Sequence, residues 1–144
     1  MSTLLSFVLC SRNDGYPEGN GIKLLNFATN NLINRLAKIK SKFEIIIVEY
    51  NPPAKKEPLY RCLKLKKSRN IKTKIITVSK EFHIKLNNFK EFPLCQELAL
   101  NIGIQRSKGK YVIIKMADTI YSDSFFEFLK SFNFNQNYLY RCGR

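Results

Sequence analysis

Four short runs rich in β-branched and aliphatic residues constrain this chain most: LLSFVLC at 4–10, EIIIVE at 44–49, TKIITV at 73–78 and YVIIK at 111–115. Each has the length and composition of a strand. Their apolar character is nearly continuous rather than alternating, which is what strands covered on both faces of a parallel sheet require. Helical stretches lie between them. From 22 to about 39, Leu25, Ala28, Leu32, Leu36 and Ile39 recur at steps of three or four and mark one side of an amphipathic helix. Pro58 can open a short second helix through Leu59 and Leu63, and Pro93 a third carrying Leu94, Leu98 and Ile102. Ser124 and Glu127 have capping-box spacing before a helix bearing Phe125, Leu129 and Phe132, and Lys108-Gly109-Lys110 reads as a stop before the fourth strand. Strands alternating with helices predict an α/β fold with right-handed crossovers and a mostly parallel sheet flanked by helices.

A chain of 144 residues fits one domain, able to bury about two-thirds of its unfolded surface. Cys10, Cys62, Cys95 and Cys142 form no C-x-x-C pair, and a single histidine cannot complete a metal cage with them. They read as buried thiols, which suits the cytoplasm or the cytosolic face of a membrane. The opening residues lack a basic lead-in and a small-residue cleavage site, so no secretory signal is expected. No apolar run reaches membrane-spanning length, which limits any membrane contact to a peripheral one.

The formal charge is +14, and between residues 55 and 74 nine bases face one acid. A polyanion is one partner for such a segment, and a plain solvated face is the other reading. The absence of interleaved stacking aromatics argues against nucleic acid.

In an open α/β sheet, ligands bind outside the carboxyl ends of the strands, so the irregular stretches at 11–21 and 51–57 are where function belongs. The first begins Ser11-Arg12-Asn13-Asp14, a polar cluster able to hold a base or a diphosphate, or simply to make a turn. Gly15, Gly19 and Gly21 have the wrong spacing for G-x-G-x-x-G, and G-x-x-x-x-G-K-[ST] is absent. The second strand ends in Glu49, where a carboxylate can accept from a ribose hydroxyl pair or a pyrimidine N–H. Asp118 follows the fourth strand and can meet a hard cation or cap the next turn. His83, in a stretch from 80 to 92 that reads as loop, is either exposed or a phosphate or sugar contact.

These segments resemble glycosyltransferase family two, and within it members whose second strand ends in acid-aromatic-Asn-Pro-Pro, here Glu49-Tyr50-Asn51-Pro52-Pro53. The other matching segments are Ser11-Arg12-Asn13-Asp14, the run from Asn101 to Gly109 (NIGIQRSKG), the strand before Asp118, and Tyr140-Arg141. The resemblance runs essentially end to end and implies one domain over 1–144: the donor-binding half of a GT-A, Rossmann-like fold. It implies a nucleoside-diphosphate sugar as donor, with Ser11, Arg12, Asn13 and Glu49 holding the nucleoside. Asp118 would hold Mg²⁺ or Mn²⁺ on the diphosphate, and Asn101 and Arg106 would approach the donor from a helix, with bracing the loop as the other reading of Asn101. The acceptor, whether saccharide, lipid or protein, is not specified.

Three departures accompany the resemblance. Met116 stands where the first acid of a D-x-D pair is usual, Leu100 stands where a base often precedes Asn-x-Gly, and the family's acceptor region and catalytic base correspond to nothing before Arg144. Asp123 and Glu127 read as helix-start acids, so no base is assigned. A shortened form without transfer activity, a basic nucleic-acid-binding module and a non-catalytic partner domain are the alternatives. Leu139-Tyr140-Arg141 reads as a terminal strand.

Overall fold

The computed structural model describes residues 2–16, 18–86, 90–131 and 134–141. Four strands form one sheet: β1 (Thr3–Ser11), β2 (Lys42–Tyr50), β3 (Ile71–Val78) and β4 (Tyr111–Ile114). The order is β3-β2-β1-β4 and every pairing is parallel, as the apolar runs predict. Between the strands lie α1 (Gly21–Leu36), α2 (Leu59–Cys62), α3 (Lys80–His83) and α4 (Gln96–Gln105), and α5 (Asp123–Ser131) follows β4.

Side chains alternate across the sheet and divide the core in two. Leu5, Phe7 and Leu9 of β1 and Phe43, Ile45 and Ile47 of β2 point to one face, where Leu25, Leu32 and Leu36 of α1 and Phe126 and Leu129 of α5 cover them. Val8, Ile46, Val48 and Tyr50 point to the other, beneath Ala99 of α4. α4 lies close to the sheet because of Gly103, where a Cβ would come within 2.5 Å of Val8 Cγ1 and 3.0 Å of Val48 Cγ2.

The amino edge of the sheet is tied by a buried acid. Glu44 accepts from Ser6 Oγ at 2.8 Å and from the Lys108 N–H at 2.9 Å, and pairs with Lys74 Nζ at 2.5 Å. Burial alone would raise its carboxyl pKa, but the bonds from Lys74, Lys108 and Ser6 outweigh that and hold it below the ordinary carboxylate range. The turn before β4 sits so close that a Cβ on Gly109 would meet Ser6 N at 2.5 Å. Asn70 closes the same edge by donating from Nδ2 to the carbonyls of Leu36, Ile39 and Ser41.

Several local expectations shift. α4 starts at Gln96 rather than at Pro93, and residues 80–83, read as loop, form α3. The capping serine of α5 is Ser122, whose Oγ accepts from Phe125 N at 3.4 Å, while Ser124 lies inside the helix. Leu139-Tyr140-Arg141 is not a strand: Tyr140 folds back, its hydroxyl accepting from Asn135 N at 2.7 Å and its ring packing against Phe128 and Phe134. Phe132 and Cys142 lie outside the described residues. Among those described, no helix is long and apolar enough to cross a membrane.

Candidate functional site

The chain runs from β1 outward through β2 to β3, then returns to the other side of β1 to form β4. That reversal between β1 and β4 is the switch point at which an open α/β sheet presents its crevice. The loops after β1, β2 and β4 all emerge on this edge.

Ser11 and Glu49 are register partners at the ends of β1 and β2. Glu49 is fully buried, and its two oxygens accept from the Leu59 N–H at 2.7 Å and from Thr77 Oγ1 at 3.1 Å. The carboxylate thus fixes the start of α2 to the ends of β2 and β3. Asn13 donates from Nδ2 to the Glu57 carbonyl at 2.9 Å, with Cys62 Sγ at 3.5 Å, which staples the loop after β1 to the loop after β2. Burial, followed by the nearby Glu57 and Glu49 charges, pushes the Cys62 thiol pKa up.

Arg12 has a side chain only 11% exposed, with Nε 3.4 Å from the Asp14 carboxylate. Its Nη1 donates to the Pro93 carbonyl at 2.7 Å, and Asn51 Nδ2 donates to the same oxygen at 2.9 Å. Asn51 takes a left-handed backbone, φ 45°, which its short amide side chain tolerates and which turns the chain off β2 into Pro52-Pro53. Neither the shared acceptor nor Asn51's part in it is visible in the sequence, because Pro93 lies 81 and 42 residues away. The adjacent acid-aromatic-Asn-Pro-Pro run is the nearest signal.

Beyond β4, Asp118 is exposed in a turn, while Lys115 is only 4% exposed. Lys115 Nζ donates to the carbonyls of Met116 at 2.7 Å and Ala117 at 3.4 Å, holding that turn from beneath. Burial lowers its pKa to about 8, against the opposing pull of Asp118. Met116 Sδ accepts from Gln96 Nε2 at 3.6 Å, linking this turn to the start of α4.

For a divalent cation the donor set is thin. Among the described residues no three His, Cys, Asp or Glu side chains gather, and Asp118 neighbours a thioether and a buried ammonium. One carboxylate fits only the mode in which substrate phosphates and water complete the shell.

The other sequence candidates fall elsewhere. Asn101 is exposed midway along α4. Arg106 follows the carboxyl end of that helix, next to the turn that bonds to Glu44, Ser6 and Thr3, and so lies at the opposite, amino edge of the sheet. Ser11, Arg12, Asn13, Glu49 and Asp118 therefore share one edge, which Arg106 does not reach. His83 is buried rather than exposed, its Nδ1 3.1 Å from the Tyr50 hydroxyl and its ring edge-on to that tyrosine. Burial raises the Tyr50 pKa, and it pushes the neighbouring Cys10 thiol up to about 12. Cys10, Cys62 and Cys95 are all unbridged.

No protein-family model matches the chain, and no curated protein does. Among solved structures, the crystal structure of residues 1–349 of TarS from S. aureus, a glycosyltransferase, matches with a TM-score of 0.51 and 16% identity. The match covers 90% of this chain and 32% of that one, so the chain spans about a third of the structure it resembles. At such identity the likeness is one of fold. The fold is accordingly α/β, a four-stranded, all-parallel sheet flanked by helices, similar to part of that glycosyltransferase structure.

Proposed function

We propose that the carboxyl edge of the sheet binds a nucleoside-diphosphate sugar, and that the chain is the donor-binding part of a glycosyltransferase-like protein whose acceptor is a saccharide, lipid or protein. The observation that carries this reading is the position of Asp118: an exposed carboxylate just past β4, at the reversal beside β1, on the same edge as Ser11 and Glu49. In this reading Ser11 and the backbone of the loop after β1 meet the nucleoside. Glu49, fully buried and held by Leu59 and Thr77, keeps the wall of the crevice in place from behind. Arg12 and Asn13 hold the two loops at their separation. Asp118 accepts from a sugar hydroxyl or, with Mg²⁺ or Mn²⁺ bound to the diphosphate, supplies the protein's one ligand; the cation would neutralise charge on the departing diphosphate.

Thermal denaturation with UDP, GDP and their sugars, each with and without Mn²⁺, tests the reading. Ligand at a hundred times its dissociation constant stabilises by about 2.7 kcal/mol and raises Tm accordingly. No rise with any of these ligands overturns donor binding. Asp118→Ala is expected to abolish the Mn²⁺-dependent part alone.

A further inference from the structure

The helix α1 carries asparagines at 26, 30 and 34, one per turn along a single stripe. All three bind the segment that follows α2. Asn26 Oδ1 accepts from the Lys64 N–H at 3.0 Å, and Asn30 both accepts from the Lys66 N–H at 2.8 Å and donates to the Lys64 carbonyl at 3.0 Å. Asn34 Oδ1 accepts from Lys66 Nζ at 3.1 Å. The segment is therefore held through its peptide groups by side-chain amides, much as a neighbouring strand would hold it. Leu63 and Leu65 pack against the core, so Lys64 and Lys66 face outward. Lys67 and Arg69 continue the exposed ridge.

On the outer side of α1, beside this ridge, Phe27 is 63% exposed, and Lys23 lies exposed one turn before it. On the other flank of α1, Asp123 of α5 pairs with Arg35. An ordered row of cations next to a projecting phenyl group on an exposed helix face matches a lipid surface. Headgroup phosphates take the ammonium groups and the headgroup–acyl boundary takes the ring. A single-stranded nucleic acid would instead use several rings in a row along the cations, whereas the exposed rings here are Phe27 and Tyr60, the latter already beside the Arg61 guanidinium.

We infer that this face, α1 together with the 63–69 ridge, docks on an anionic lipid bilayer. The inference stands on surface residues alone and does not depend on the donor-site reading. The test is co-sedimentation of the whole chain with vesicles of phosphatidylcholine alone and of phosphatidylcholine mixed with phosphatidylserine. Binding is expected only to the phosphatidylserine vesicles, weakening as salt is raised. Lys64→Glu with Lys66→Glu is expected to reduce partitioning about tenfold or more, and Phe27→Ala to reduce it while leaving the salt dependence intact. Lys80→Glu with Lys85→Glu makes the same charge change near α3, on the opposite face of the sheet, and serves as the control; unchanged circular dichroism secures folding in every variant. Equal loss in the α3 control, absence of vesicle binding, or retention of a short RNA or duplex DNA at salt that releases the vesicles would each overturn the inference.

Discussion

Arg12 and Asn51, at the carboxyl ends of adjacent strands, donate to one and the same acceptor, the Pro93 carbonyl oxygen. The segment leading into α4 is thereby fastened to β1 and β2 at once, and the crevice gains a fixed wall. Removing one donor leaves the other in place, so the two changes are coupled rather than additive. Arg12→Ala combined with Asn51→Gly is expected to cost more than the sum of the single changes, by about 0.5 kcal/mol or more. Urea denaturation of the four proteins measures that coupling, and faster hydrogen exchange at the Leu94 and Cys95 amides locates it.

Gly109 and Gly103 separate two kinds of close contact. A Cβ at 109 meets the backbone of Leu5 and Ser6, which cannot move without disrupting the β1–β4 pairing, whereas at 103 it meets the methyl groups of Val8 and Val48. Gly109→Ala is expected to destabilise by roughly 3 kcal/mol or more, and Gly103→Ala by about 1–3 kcal/mol. Thermal melts that ranked them the other way round would contradict this account of the amino edge.

Lys115 gives a pH signature. Its folded pKa is about 8, below the ordinary lysine value of 10.5, so between these two values the unfolded chain binds more protons than the folded one. The penalty for burying the charge is present in full below pH 8 and fades as pH rises toward 10.5. Lys115→Met removes the ionisable group. The stability of the variant minus that of the wild type is expected to shrink from pH 7 to pH 10 by roughly 2.5 kcal/mol, as read from urea titrations across that range.

Glu44 predicts the opposite trend in acid. Its folded pKa is lowered, so its stabilisation is complete above the unfolded value of 4.5 and is lost as pH falls through the folded one. Glu44→Ala leaves Lys74, Ser6 and the Lys108 amide without their acceptor and is expected to cost about 3–5 kcal/mol at neutral pH. The same variant is expected to lack the Glu44 share of acid destabilisation below that pH.

The Tyr50–His83 contact is a smaller test. Tyr50→Phe keeps the ring in its buried place and removes only the hydroxyl facing Nδ1, with an expected cost of about 1–2 kcal/mol.

The parallel sheet was legible because it depends on composition within each strand: runs such as Ile45-Ile46-Ile47-Val48 tolerate burial on both faces and little else. The short helix at Lys80–His83 was not, since four residues contain too little of a 3.6-residue period to register. The position of Glu49 at a strand end could be read directly, but its engagement by Leu59 and Thr77 depends on how two later segments pack. The position of Arg106 is readable too: it stands a short turn before β4, so a parallel strand order places it at the amino edge. The Asn26, Asn30 and Asn34 stripe was written plainly on α1, yet its partners lie 32 to 38 residues further along.

That stripe has a consequence for how the surface can change over generations. Asn26 and Asn30 grip peptide groups rather than side chains, so the identity at 64 is nearly invisible to folding, and that at 66 is read only through the exposed bond from its ammonium to Asn34. Selection could exchange those lysines for neutral or acidic residues, and so retune what the molecule is attracted to, without disturbing the scaffold that shapes the crevice.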